Sequence, residues 1–241
     1  MAILSRATSS RSITTYVILI TILCGLLVLR QGQYLSSGTN NIVVRPGSLA
    51  VIMPINNNTD ISFYKNLWVA DHLHTVCDFR GPDCTMSCNE RSTWKTLHKK
   101  TICFTKQIKE RFRSTEFFIK MDDDTFIDRE YIYRLIKKFT GLDEPVYISD
   151  FILNLDNRNL NLNGTYYGNG KFYMFNRRLL DCIDPTITYS GDRNEDAIFG
   201  GMVFNGCGPN VLKIREDDSK IWHKAYWHKN KYINLSVISN K

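Results

Sequence analysis

Apolar positions recur along this chain with two periods, and the switch from one to the other marks out its elements. Leu49 to Met53 (LAVIM) and Phe117 to Met121 (FFIKM) are short apolar runs of buried-strand length. Pro54 closes the first, and three consecutive carboxylates, Asp122, Asp123 and Asp124, close the second. Trp94, Leu97, Thr101, Phe104, Ile108 and Phe112 recur three and four residues apart and predict an amphipathic helix. Tyr131, Leu135, Ile136 and Phe139 predict another, with Asp128 as its N-cap, Glu130 in its first turn and Gly141 just past its end. Ile61 to Val76 reads as a further helix, with Phe63, Leu67, Val69 and Ala70 toward its buried side. Pro145 to Ser149 is a short strand, two apolar stretches follow around Gly164 to Phe175, and Arg177 to Cys182 begins a helix. Cys77 to Asn89 carries no strand pattern. Strands alternating with helices predict an α/β nucleotide-binding architecture, in which ligands sit beyond the carboxyl ends of the strands.

The N-terminus changes the picture of where this domain resides. Ile13 to Leu29 is uncharged over 17 residues, flanked by Arg6 and Arg11 before and Arg30 after. As a helix it would reach about 26 Å, enough for the thinner membranes of the secretory pathway. It is long for a cleaved signal core, and no small-x-small site follows closely, so an uncleaved anchor is expected. The expected organisation is a cytoplasmic tail (1–12), a single transmembrane helix (13–29), a short polar stem (30–47) and one lumenal domain (48–241). Beyond the anchor lie six of the seven cysteines and three sequons, at Asn57, Asn163 and Asn234. Disulfides are the expected use of these cysteines, although six allow 15 pairings. Cys84 and Cys88 have zinc-like spacing, but no second half follows.

Composition mostly excludes. At 43% hydrophobic and 23% charged the chain is globular. Its net charge of +7 is dispersed, with the densest basic set from Lys95 to Arg113 on the solvated side of a predicted helix. No nucleic-acid signature appears, so no nucleic-acid partner is expected. Neither a GxGxxG nor a GxxxxGK[ST] is present, so neither a dinucleotide enzyme nor a P-loop NTPase is supported.

The candidate chemistry begins at the acidic triplet. Like charges this close repel, and a divalent cation at the strand end keeps them ionised at least cost. An EF-hand fails because Ile127 stands where the loop needs glycine. A phosphatase-type nucleophile at Asp122 has no other support in the chain. Glu195 and Asp196 precede an apolar helical start, where either an N-terminal acid or a proton acceptor fits. His223 and His228 lie among aromatics near the C-terminus, and imidazole with carboxylate is a ligand set for manganese.

Together these segments resemble glycosyltransferase family 31, the fringe and core-1 β1,3-galactosyltransferase group. The resemblance is carried by TWKTLHKKTICF from Thr93, FFIKMDDDTFID from Phe117, Asp143 to Tyr147, YGNGKFYMFNRR from Tyr167, the EDAIFG run from Glu195, and Trp222-His223. Order and approximate spacing agree over about Trp94 to His228. It implies a GT-A fold, a UDP-sugar donor, Mn²⁺, and inverting β1,3 transfer of a galactose or N-acetylhexosamine type sugar to a glycan or glycoprotein hydroxyl. By position, Asp124 would bind the metal, with Asp122 and Asp123 on the donor or on metal waters. Asp196, with Glu195 beside it, would be the catalytic base, and His223 the second metal ligand with His228 as its rival. Gly168 and Gly170 would line the site. A Cys182–Cys207 bridge is a guess that accompanies it, and residence in the Golgi or ER membrane follows from the family. A homodimer is left open. The competing reading is a catalytically silent lumenal sugar-binding or chaperone relative, expected to lose the triplet or the acidic pair; both are intact here.

Overall fold

A computed structural model describes residues 47–68, 72–88, 91–93, 96–155, 164–186 and 194–223. All of them lie in one compact unit that runs from Val44 to Lys241. The expected anchor and the stem as far as residue 46, Trp94, Asn163, Asn234 and His228 fall outside them, as does the side chain of His223.

The described elements follow in the order β1 (Leu49–Pro54), α1 (Ser62–Leu67), β2 (Leu73–Cys77), β3 (Met86–Ser87), α2 (Leu97–Arg111), β4 (Phe117–Met121), β5 (Thr125–Ile127) and α3 (Arg129–Phe139). Then come β6 (Val146–Leu153), β7 (Tyr166–Asn176), α4 (Arg177–Cys182), α5 (Glu195–Cys207), β8 (Leu212–Arg215) and β9 (Ile221–His223). Seven strands form one mixed sheet in the order β3-β2-β1-β4-β7-β6-β8, and β5 pairs with β9 in a small ribbon. β1 is parallel to both β2 and β4, whereas β7 runs antiparallel between β4 and β6. The chain winds from β1 to β3 on one side and resumes at β4 on the other. The crevice beyond the carboxyl ends of β1 and β4 is therefore the topological switch point of the sheet.

Burial explains why these residues form these strands. Leu49 to Met53 and Phe117 to Met121 are buried throughout, as interior strands of a sheet covered on both faces must be. Phe118, Tyr173 and Phe175 pack with Phe104 and Ile108 of α2 and with Ile198, Phe199 and Met202 of α5 in one core cluster. α3 buries Ile132, Tyr133, Leu135, Ile136 and Phe139, none of which belongs to that cluster. Asp128 caps α3 as expected by accepting from the Tyr131 amide, and Gly141 has φ +80°.

Several expectations are corrected. The predicted helix over Ile61 to Val76 stops at Leu67, and Leu73 to Cys77 is a strand. Thr75, Val76 and Cys77 are buried in a parallel pairing with β1, a non-local partner that outweighs the local period. A two-residue strand, β3, pairs with β2 inside the Cys-rich stretch. The two apolar stretches near Gly164 to Phe175 are one 11-residue strand. The acidic triplet does not lead straight into a helix: buried Thr125, Phe126 and Ile127 intervene as β5. Three disulfides join Cys77 to Cys84, Cys88 to Cys103 and Cys182 to Cys207.

Candidate active site

β4 sets the site through its one charged residue. Lys120 lies in the buried strand with no exposed side-chain surface. An unpaired ammonium there would cost several kcal/mol, so acids must come to it. Its Nζ lies 2.7 Å from Asp122 Oδ1 and 2.6 Å from Glu195 Oε1, donates to the Gly170 carbonyl at 2.7 Å, and stands 3.7 Å from Asp196 Oδ1. Burial alone would push this ammonium down, but Asp122, Glu195 and Asp196 hold it well above its usual range.

The carbonyl of Gly170 reaches Lys120 because β7 bulges. β6 advances two residues from Ser149 to Phe151, while their partners on β7 run five residues, from Tyr173 to Gly168. The excess leaves the Gly170 and Lys171 carbonyls free of that ladder. The first accepts from Lys120, and the second accepts from the Asp122 amide at 3.2 Å. Side chains are excluded here as well. A Cβ on Gly170 would fall on the Asp196 carboxylate, and one on Gly168 would lie 2.6 Å from the Tyr147 hydroxyl. Gly168 itself donates its amide to that hydroxyl at 2.9 Å.

Asp196 stands in the first turn of α5, where Asn194 caps the helix by accepting from the Asp196 amide. Its side chain is 13% exposed, and its Oδ1 has no hydrogen-bond partner among the described residues. Burial pushes its carboxyl up to about 7, with Glu195 and Asp122 adding to the rise and Lys120 and the Gly170 backbone opposing it. A group balanced there exchanges a proton near neutral pH. Glu195 takes a different part. Besides Lys120, its other oxygen accepts from Thr101 Oγ1 of α2 at 3.4 Å, so it is held inside the protein.

The acidic turn closes the other side. Asp123 Oδ2 accepts from Thr59 at 2.6 Å, and its carbonyl accepts from the Tyr64 hydroxyl at 2.8 Å. Burial first, and then the charges of Asp123, Asp124 and Asp122, push that phenol up. Thr59 and Tyr64 belong to the loop and helix after β1, so both strands at the switch point contribute. Lys100 of α2 donates to the Ile55 carbonyl at 3.0 Å and lies 3.6 Å from Asp78 Oδ1, tying the ends of β1 and β2 together.

β9 brings in the C-terminal part. Its antiparallel pairing sets His223 opposite Thr125, one residue past Asp124. Among the described residues no group of three His, Cys, Asp or Glu side chains is gathered to hold a metal ion. The partly exposed carboxylates at the turn are oxygen donors of the kind a divalent cation takes. The geometry thus brings together Asp122, Glu195, Asp196 and Gly170 around Lys120, sets Asp123 among Thr59 and Tyr64, and leaves Gly168 one step away on Tyr147. Of the site residues not anticipated from sequence, Thr59, Tyr64 and Thr101 carry no signal there. Only Lys120 offered one, as the single charge in a strand otherwise made of Phe, Ile and Met.

The sequence matches no protein-family model and has no significant match among curated proteins. Among solved structures, the chain is similar to a glycosyltransferase involved in glycosylation of the major capsid of PBCV-1, at 12% identity over 80% of this chain and 97% of that one, TM-score 0.41. It is also similar to the mannosyltransferase PcManGT from Pyrobaculum calidifontis in complex with GDP-Man and Mn²⁺, at 14% identity over 85% of this chain and 65% of that one, TM-score 0.46. A third is the catalytic domain of Drosophila β1,4-galactosyltransferase 7 in complex with xylobiose, at 12% identity over 80% and 79%, TM-score 0.42.

Proposed function

We propose that this chain is a glycosyltransferase that moves a sugar from a UDP-sugar to a hydroxyl of a glycan or glycoprotein acceptor, with inversion and β1,3 linkage taken from the family-31 resemblance alone. The observation that carries the reading is Asp196. Its carboxyl is buried and held near 7, and its Oδ1 lacks a hydrogen-bond partner among the described residues, beside a carboxylate turn at the switch point of the sheet. Asp196 Oδ1 accepts the acceptor hydroxyl proton as that oxygen bonds to the anomeric carbon, and the bond from that carbon to the diphosphate breaks. A single displacement of this kind inverts the centre and needs one base. Lys120 keeps the carboxylate accessible in its ionised form. Gly170, having no side chain, lets the Asp196 carboxylate pack directly against its backbone.

A divalent cation held by Asp124 with Asp122, and by His223 or His228, would supply charge neutralisation of the departing diphosphate. Asp123 holds the turn against Thr59 and Tyr64, and by the resemblance it would lie on the donor or on metal waters. Three disulfides suit an oxidising compartment, which agrees with a Golgi or ER membrane protein anchored through residues 13–29 with its domain in the lumen.

The test uses the full chain, made with its disulfides formed and kept in detergent. Thermal stability is recorded with a panel of nucleotide sugars, with and without Mn²⁺, beside Asp124→Ala. Ligand at a hundredfold excess over Kd adds about 2.7 kcal/mol to the native state. A Mn²⁺-dependent shift for one UDP-sugar, absent from the variant, supports the donor site. No shift with any nucleotide sugar, from a cooperatively folded chain, overturns the reading in favour of the silent relative.

A further inference from the structure

Among the described residues, the ammonium of Lys120 touches both halves of the site. On one side it holds Asp122, the first residue of the acidic turn, at 2.7 Å. On the other it holds Glu195 at 2.6 Å, the residue before Asp196, and lies 3.7 Å from Asp196 itself. Its third bond, to the Gly170 carbonyl, fixes the β7 bulge on which the Asp196 carboxylate rests. These partners come from the turn after β4, from β7 and from α5, segments far apart in sequence, with Glu195 75 positions beyond Lys120.

Stability does not explain such a residue. A buried ion pair can often be replaced by apolar side chains of similar volume with no loss, because desolvation cancels most of the attraction. The rest of β4 is Phe, Phe, Ile and Met, and the Tyr173 ring lies 5.6 Å from the ammonium, so apolar side chains replacing Lys120 together with its acids would find apolar company. What an apolar residue could not do is bind both acids at once.

We propose that Lys120 is a positioning residue that couples the carboxylate turn to the start of α5, with Glu195 as its handle on that helix, so that Asp122 and Asp196 move as one unit. This deepens the glycosyltransferase reading and rests on it for the kinetic consequence only. The coupling itself is a mechanical statement about the fold. Lys120 touches no reacting atom; it acts through Asp122, Glu195 and the bulge. Glu195, which the resemblance set beside the base, becomes part of the support and not a proton acceptor.

The main variant is Glu195→Gln in the full chain, because Lys120→Met strands three acids and risks misfolding. The amide keeps the shape and one acceptor oxygen but removes the charge that holds the ammonium. Amide hydrogen exchange followed by mass spectrometry reads the coupling without any substrate. Faster exchange is expected in the 122–127 turn as well as at the start of α5, although the variant lies on α5 alone. Exchange that rises only within 195–207 overturns the proposal. In the transfer assay kcat is expected to fall about tenfold with the donor KM within twofold, since the turn is still present but no longer aligned with the base. A donor KM that rises in step with an unchanged kcat also overturns it. Glu195→Asp, which keeps the charge on a shorter arm, should recover part of the lost kcat; equal loss in both variants speaks against a charge-based link. If the unmodified chain transfers no sugar at all, the glycosyltransferase reading has failed, and the exchange result still decides the coupling.

Discussion

Two lysines on neighbouring strands, one fully buried and one mostly so, bind acids in this protein, and they show what separates a site from a structural pair. Lys120 of β4 gathers Asp122, Glu195 and Asp196 at the switch point. Lys171 of β7 lies 2.7 Å from Glu216 and 3.5 Å from Asp218, with Asp150 contributing to its charge environment. In both clusters burial pushes one carboxyl up to about 7, Asp196 in the first and Glu216 in the second. A raised carboxyl is thus no evidence of function by itself. The difference is in what surrounds it. Asp196 faces a glycine bulge and an acidic turn with a histidine strand beside it, whereas Glu216 is fully buried and follows an edge strand, β8.

The sharpest way to break this comparison is to remove each raised carboxylate in turn. Asp196→Asn keeps the volume and the helix cap but cannot accept a proton. Sugar transfer should fall by about 10³-fold, within the range general bases supply, while the Mn²⁺-dependent thermal shift with the donor persists. Loss of that shift together with transfer would assign Asp196 to the donor side or the fold. Gly170→Ala should come next. Its Cβ would fall on the Asp196 carboxylate, so the acid must move. We expect transfer to fall about a hundredfold with a stability cost of about 1–3 kcal/mol, the usual price of overpacking; unchanged kinetics would show that the bulge has slack.

The pH profile sharpens the same contrast. Asp196 is needed as the carboxylate, so kcat/KM should rise with pH up to about 7 and level off above it. Measured between pH 5.5 and 8.5, a profile that is already flat at 6 would mean that Asp196 is ionised well below that point. Glu216→Gln should leave the whole profile where it was.

How much of this was legible beforehand depends on how local each signal is. FFIKM, the Asp128 cap, the α2 stripe of Thr101, Phe104 and Ile108 and the Asn194-Glu195 helix start are written in neighbouring residues, and the structure keeps them. Phe63 and Leu67 also read correctly as helix, but nothing local says that Leu73 to Cys77 leaves that period to pair with β1. The bulge in β7 exists only relative to β6, so its glycines read as breaks between two stretches. Of the site, the acids were visible because their spacing is unusual. Their common partner was not, because a lysine two residues before an acidic triplet looks like local charge balance until its contacts with Gly170 and Glu195, 50 and 75 residues on, are known. The disulfides Cys77–Cys84 and Cys88–Cys103 were unreadable for the same reason.

The smallest effect is expected at Glu216, and it should appear in stability and not in transfer. Its folded carboxyl is held at about 7 against an ordinary value of 4.5, because burial outweighs the hydrogen bond and charge of Lys171. A carboxyl raised on folding binds its proton more tightly in the native state. Its contribution is therefore fully present below pH 4.5 and is lost as pH rises through 7. Over that window the shift corresponds to about 3 kcal/mol at most. Asp196 slopes the same way, so the two chains must be compared: urea unfolding of the unmodified chain and of Glu216→Gln at pH 5 and pH 8. The unmodified chain should lose more stability between the two pH values than the variant does, by about 1–3 kcal/mol, with equal transfer activity in both. An equal loss in the two chains would mean that the Lys171 ammonium keeps Glu216 ionised throughout. The two clusters would then differ in electrostatics as well as in position, leaving Asp196 as the one carboxylate whose burial is not answered by its lysine.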